Sequence, residues 1–373
     1  MRFQRNAYMR RLAFIGVNAA LYSLYIPVAL GQMNQASDER EVGLNLLAGL
    51  YASNRIVPVS TQAPVGFEVR YNRMHTSQQA WEQCHCLYRS GVFLNAYSFR
   101  NPVALGQSIG AGLFFEPILL HRTRWDVSVR ALAGIAYVSR FYDEVTNPGN
   151  RAFGTPVNGL IGTGLYGRYA ISTHWKLLAG FDYKHISNAG VRLPNEGLNI
   201  PSATVGLTYY TGKIVRPPHY KQVSEPVKRW MVRGLALASV KVLEATDKEP
   251  ERGYPIFGLN LIGGYHLTRT HVISGGVELL DDRYFKEQIL RWSGHYQPYR
   301  QVTVLGGYEF WQGHFAFTAH MGWNLVRPFG YKPATYQKYG LLYRFANGLT
   351  TGVAVKAYGE NTKNFQALVG MTL

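Results

Sequence analysis

Trp125-Asp126-Val127-Ser128-Val129-Arg130-Ala131-Leu132-Ala133-Gly134-Ile135-Ala136-Tyr137 is the stretch from which the fold is read. Its odd positions are all apolar, whereas the even ones include Asp126, Ser128 and Arg130. Such alternation puts successive side chains on opposite faces of a strand. The pattern recurs from Thr173 to Ser187, where Trp175, Leu177, Ala179, Phe181 and Tyr183 oppose His174, Lys176, Asp182 and Lys184. It recurs again from His314 to Leu325, and the chain closes with Phe365, Ala367, Val369, Met371 and Leu373 on one face. The three long runs reach 12 to 15 residues, whereas soluble strands average about 5–6. Their polar faces carry Lys, Arg, Asp and Asn, as a lumen does, and aromatics cluster near the strand ends.

Composition agrees. Only 16% of the 373 residues are charged, and the chain holds 39 glycines, 26 tyrosines and 18 phenylalanines. A mean hydropathy of −0.13 argues against several helical membrane spans, which need runs of about 20 apolar residues. Ample hydrophobicity also argues against disorder. The formal charge is +17, but no recognition helix or basic run accompanies it, so no nucleic-acid partner is expected.

Arg2, Arg5, Arg10 and Arg11 precede an apolar stretch from Leu12 to Leu30, and Ala29-Leu30-Gly31 supplies small residues at a cleavage site. Residues 1–31 therefore read as a secretory signal peptide. Its removal takes four arginines and leaves 342 residues at +13. An exported chain of long alternating strands reads as an all-β, antiparallel outer-membrane β-barrel, since only closure satisfies every backbone group in lipid.

About sixteen candidate strands follow, joined alternately by tight turns (His121–Arg124, Ser172–Thr173, Thr268–Thr270, Gln312–Gly313, Asn347–Gly348) and longer polar loops (Asp143–Thr155, Asn188–Leu198, Glu244–Gly253, Lys286–Arg300, Arg327–Tyr336). A Pro-containing connection at 213–228 separates two halves of about eight strands, 32–212 and 229–373. One sixteen-strand barrel and two smaller barrels both fit this organisation. A soluble periplasmic β-sandwich is the remaining fold alternative.

Alternation carries His185 and Ser187 onto the outward, apolar face of their strand, and Asn199 onto the same face of the next. A histidine, a serine and a carboxamide can act as base, nucleophile and orienting group. Polar residues at an interfacial strand end are the other reading of the same three. Cys84-His85-Cys86 lacks the second pair of a zinc ribbon. A local disulfide is possible there, with exposed thiols of no special role as the plainer expectation. Gly106-Gln107-Ser108-Ile109-Gly110 matches a Gly-x-Ser-x-Gly elbow in spacing, but it runs on into Ala111-Gly112-Leu113 without a helix.

The stretch His185-Ile186-Ser187-Asn188-Ala189-Gly190 with Pro194-Asn195-Glu196-Gly197 resembles the signature of the lipid A 3-O-deacylase (PagL) family, His-x-Ser-Asn-Ala/Gly and Pro-Asn-x-Gly. Ala80-Trp81-Glu82-Gln83 and Asn147-Pro148-Gly149-Asn150 are similar to the larger members called acyloxyacyl hydrolases. The resemblance covers roughly residues 41–212. It extends only weakly to the C-terminal half, where Lys356-Ala357-Tyr358-Gly359-Glu360-Asn361 is similar to a degenerate second copy without the His-x-Ser.

The resemblance implies an outer-membrane esterase that acts on lipid A without metal or organic cofactor. Ser187 would be the nucleophile and His185 the base, with the N–H groups of Ala189 and Gly190 and the Asn195 side chain as oxyanion donors. Lys184 and Arg192 are candidates for attracting lipid A phosphates, or solvated charges. The family pattern places a glutamate fourteen residues after the histidine, and Asn199 stands there instead. Three outcomes are open: a weakened deacylase, one using Glu196 as substitute acid, or an inactive barrel serving as pore or lipopolysaccharide-binding scaffold.

Overall fold

The computed structural model describes residues 39–52, 62–78, 80–81, 86–211, 229–246, 249–358 and 361–373. The signal-peptide stretch, the 213–228 connection and Cys84 lie outside them.

Among the described residues, sixteen strands of 10 to 16 residues form two closed antiparallel barrels of eight, which settles the choice left open by the sequence. The first comprises β1 (Glu39–Gly49), β2 (Val65–His75), β3 (Tyr88–Asn101), β4 (Gly106–His121), β5 (Trp125–Val138), β6 (Val157–Ala170), β7 (Trp175–Ser187) and β8 (Leu198–Tyr210). It closes where β8 pairs with β1, Leu207 opposite Leu44. The second runs from β9 (Trp230–Leu243) through β10 (Arg252–His266), β11 (His271–Asp282), β12 (Gln301–Gln312), β13 (Phe315–Val326), β14 (Thr335–Arg344) and β15 (Leu349–Tyr358) to β16 (Asn361–Thr372). It closes where β16 meets β9, Gly370 opposite Leu235.

The burial pattern is inside out. Phe181 is 70% exposed and Ile135 64%, whereas Arg89 and Arg130 are 0%. Charges belong outside in a water-soluble protein. Apolar walls around polar interiors suit lipid, and closure leaves no edge unpaired. Both barrels are outer-membrane β-barrels. Ser108 of the discounted Gly-x-Ser-x-Gly stretch faces inward on β4, buried, and the stretch continues as strand rather than turning into a helix.

Interleaved ion pairs fill the first interior. Arg89 bridges Glu41 at 3.0 Å and Asp126 at 3.0 Å, and Glu116 takes Arg130 at 3.0 Å and Arg168 at 2.6 Å. The Arg130 guanidinium sits between the rings of Phe114 and Tyr166, at 4.7 and 4.3 Å from their centroids. In the second interior Arg233 grips Glu309 through two bonds of 2.9 and 2.6 Å, and Glu278 accepts from Tyr336 and Lys338.

Two local features differ from the sequence reading. The stretch Lys286–Arg300 is not a plain loop, because α1 (Arg283–Ser293) occupies most of it. Asp282 caps its start by accepting from the Phe285 N–H at 3.0 Å, and Gly294 ends it in the left-handed conformation. Both are ordinary helix signals that the surrounding strand pattern masked. Cys86 is buried and disulfide-bonded rather than an exposed thiol.

Candidate active site

The strand pairing brings three outward residues together. His185 and Ser187 are two apart on β7, so they share its outer face, and the register sets His185 directly opposite Asn199 on β8. His185 Nε2 lies 2.9 Å from Ser187 Oγ, and Nδ1 lies 2.6 Å from Asn199 Oδ1. An amide oxygen only accepts, so Nδ1 carries the proton and Nε2 is left to accept from the serine hydroxyl. All three side chains are partly buried. Glu196 does not join them. Its carboxylate meets the Arg151 guanidinium at 2.9 Å, so it is not the acid that contacts His185.

The loop from β7 to β8 begins as a tight turn. The Val191 N–H donates to the Asn188 carbonyl at 3.3 Å, and the two central residues, Ala189 and Gly190, have φ of 58° and 80°. Two successive positive φ values define a type I′ turn, which glycine tolerates and alanine resists. Asn188 braces it further. Its Oδ1 accepts from the Gly190 N–H at 2.9 Å, its Nδ2 donates to the Arg192 carbonyl at 2.8 Å, and its own N–H donates to Asn195 Oδ1 at 2.9 Å.

These bonds sort the three expected oxyanion donors. The Gly190 N–H is already committed to Asn188, against expectation, because a turn-forming asparagine captures the amide two residues on. The Ala189 N–H and Asn195 Nδ2 have no hydrogen-bond partner among the described residues. Of the two proposed phosphate-attracting cations, Lys184 points into the barrel, where it pairs with Glu68 at 3.3 Å and Asp182 at 3.5 Å. It cannot meet a lipid headgroup. Arg192 stays exposed on the loop.

Gly197 is a site residue that sequence reasoning did not single out. Its φ is 70°, and a Cβ there would lie 2.7 Å from His185 Cε1 and 3.0 Å from Ser187 Cβ. The backbone thus presses on the imidazole where no side chain fits. Gly197→Ala is expected to lower esterase activity by about 10²-fold by displacing the ring, with the barrel still folded. Activity assay beside the heat-dependent gel shift of the folded barrel checks this, and unchanged activity would contradict it.

Among the described residues the outer wall of the second barrel shows no equivalent pair; its Ser274 Oγ–His320 Nε2 contact of 2.8 Å is buried in the interior. Lys356 on its seventh strand is buried as Lys184 is on β7, but Ala357 follows where His185 follows in the first barrel.

Two family models match the chain. Lipid A 3-O-deacylase (PagL) matches residues 65–208, and the C-terminal domain of acyloxyacyl hydrolase matches residues 230–372. The C-terminal half is therefore a family domain in its own right rather than a weakly similar extension. No curated protein matches the sequence significantly. Among solved structures, Neisserial surface protein A is 11% identical, covering 48% of this chain and 99% of its own, with a TM-score of 0.32. The outer membrane enzyme PagL is 15% identical, covering 44% and 97%, with a TM-score of 0.31. The siderophore receptor PirA from Acinetobacter baumannii is 8% identical, covering 87% and 68%, at 0.26. Scores this low carry no argument. The two family models, laid end to end over the two barrels, do: the chain belongs to the lipid A 3-O-deacylase (PagL) and acyloxyacyl hydrolase family.

Proposed function

We propose that the chain is an esterase that removes the ester-linked acyl chain at the 3-position of lipid A, with Ser187 as nucleophile and His185 as its general base. The observation that carries this reading is the unbroken line from Ser187 Oγ through both imidazole nitrogens to Asn199 Oδ1 on the lipid-facing wall. A substrate held in the leaflet reaches that wall without leaving the membrane.

In this reading Ser187 Oγ attacks the ester carbonyl carbon while its proton passes to His185 Nε2. The oxyanion takes hydrogen bonds from the Ala189 N–H and Asn195 Nδ2. Collapse expels the sugar 3-oxygen, which receives the proton back from His185, and an acyl group remains on Ser187. Water, deprotonated by the same nitrogen, then releases the fatty acid and restores the serine. Throughout, Asn199 holds the ring and its tautomer. It supplies no negative charge to the imidazolium, which is what a carboxylate would add.

Incubation of the folded protein in detergent with lipid A tests this. One 3-hydroxy fatty acid should appear by mass spectrometry, and lipid A should lose one ester-linked chain while keeping its amide-linked ones. Loss of an amide-linked chain, or no loss, would contradict the reading. Asn199→Glu is expected to raise the rate by about tenfold, since a charge-assisted hydrogen bond exceeds a neutral one by about 1–2 kcal/mol. A fall in rate would show that the amide is the group this site needs.

Asn199 also favours one other reading, a barrel that binds lipopolysaccharide without hydrolysing it. Release of acid by Asn199→Glu but not by wild type would support that reading.

A further inference from the structure

Asn150 is fully buried, and its side chain is bonded at every opportunity. Its Nδ2 donates to the Ala104 carbonyl at 2.8 Å and the Arg140 carbonyl at 3.1 Å. Its Oδ1 accepts from the N–H groups of Ala152 at 3.0 Å and Phe153 at 3.1 Å. One amide therefore ties the β3–β4 turn and the start of the loop after β5 to the segment Arg151–Phe153.

That segment in turn holds the far side of the site loop. The Arg151 carbonyl accepts from the Glu196 N–H at 3.0 Å, and the Ala152 carbonyl accepts from the Gly197 N–H at 3.1 Å. Gly154 permits the approach, since a Cβ there would stand 2.7 Å from the carbonyl oxygens of both Arg192 and Pro194. Gly197 then abuts the His185 ring. Asn150 thus reaches the imidazole through two short backbone links.

Asn147 supplies the contrast. It also donates to the Ala104 carbonyl, at 3.0 Å, and to the Phe141 carbonyl, at 2.9 Å, but among the described residues its side chain makes no hydrogen bond to Arg151–Phe153.

We propose that Asn150 is a positioning residue for the Ser187–His185 pair, setting the Glu196–Gly197 turn against the imidazole through Arg151 and Ala152. This rests on the esterase reading above. A purely structural role would make Asn147 and Asn150 equivalent, because both staple the same loop to Ala104. A positioning role makes them unequal.

The test uses the full chain folded in detergent, with wild type, Asn150→Ala, Asn150→Asp and Asn147→Ala assayed on lipid A. Backbone amide exchange is followed in the same samples. Asn150→Ala is expected to lower kcat by about 10–100-fold, with KM within about threefold, and to speed exchange at Glu196 and Gly197 but not along β7. Asn147→Ala should lower kcat by less than about threefold. Asn150→Asp keeps both accepted bonds, so its kcat should fall between wild type and Asn150→Ala, and it replaces the alanine variant if that does not fold. The proposal is overturned if Asn150→Ala keeps kcat within twofold of wild type, or if Asn147→Ala loses as much. Should wild type release no acid, the esterase reading fails on its own. Exchange then decides the tether: faster exchange at Gly197 in Asn150→Ala upholds it, and unchanged exchange overturns it.

Discussion

Ser187→Ala is expected to cut release of 3-hydroxy fatty acid from lipid A by about 10³-fold or more while leaving the barrel folded. The Ser187 side chain is partly buried and, among the described residues, its hydroxyl meets only His185 Nε2, so alanine keeps the Cβ and removes one hydrogen bond. Its stability cost is about 1 kcal/mol. The chemical cost is far larger, because no other atom at the site is placed to attack. His185→Ala should do comparable damage, and the double variant should be little worse than either. Groups that act as one unit fail as one unit. Additive losses would mean that serine and histidine serve separate purposes. An unimpaired Ser187→Ala would remove the serine from the reaction altogether.

Glu116→Ala should produce the largest loss of stability in the first barrel, about 3–5 kcal/mol. Glu116 is wholly buried and accepts from Arg130, Arg89 and Ser128, while pairing with Arg168 at 2.6 Å. Among the described residues the interior buries six cations (Arg70, Arg89, Arg130, Arg168, Lys176, Lys184) against five carboxylates (Glu41, Glu68, Glu116, Asp126, Asp182). Removing the carboxylate shared by three arginines leaves their charge opposed by fewer partners, with no solvent to replace it. The urea midpoint for loss of the folded, heat-shifted gel form should fall clearly. Glu116→Gln keeps the hydrogen-bonding shape and should fall less. A midpoint unchanged in both would mean that water or a counter-ion compensates the interior.

The period of two made much of this molecule legible. It placed apolar and polar residues on opposite faces of Trp125–Tyr137, and it carried His185, Ser187 and Asn199 to one outer wall. The same logic left the barrel count open, because a lipid-facing strand alternates alike in eight strands or sixteen. The deciding pairs, Leu44 with Leu207 and Leu235 with Gly370, join residues far apart in sequence. Parity also places Lys184 on the inner face, yet its charge suggested a phosphate partner. The carboxylates that claim it, Glu68 and Asp182, explain the difference. Loops obey no period. Nothing in the string Pro194-Asn195-Glu196-Gly197 tells that Glu196 turns to Arg151, or that the Gly197 backbone lies against the imidazole. Those facts depend on a second loop, Asn147–Phe153, folding over the first.

The most direct test of the Ser187–His185 assignment is the site of covalent modification by a lipophilic fluorophosphonate, mapped by peptide mass spectrometry on the detergent-folded protein. Such a reagent is attacked by a serine whose proton a base has taken. One adduct on Ser187, absent from His185→Ala, is the predicted result. No adduct in wild type, or an adduct carried instead by Ser90, whose Oγ lies 2.9 Å from His75 Nε2, would contradict the assignment.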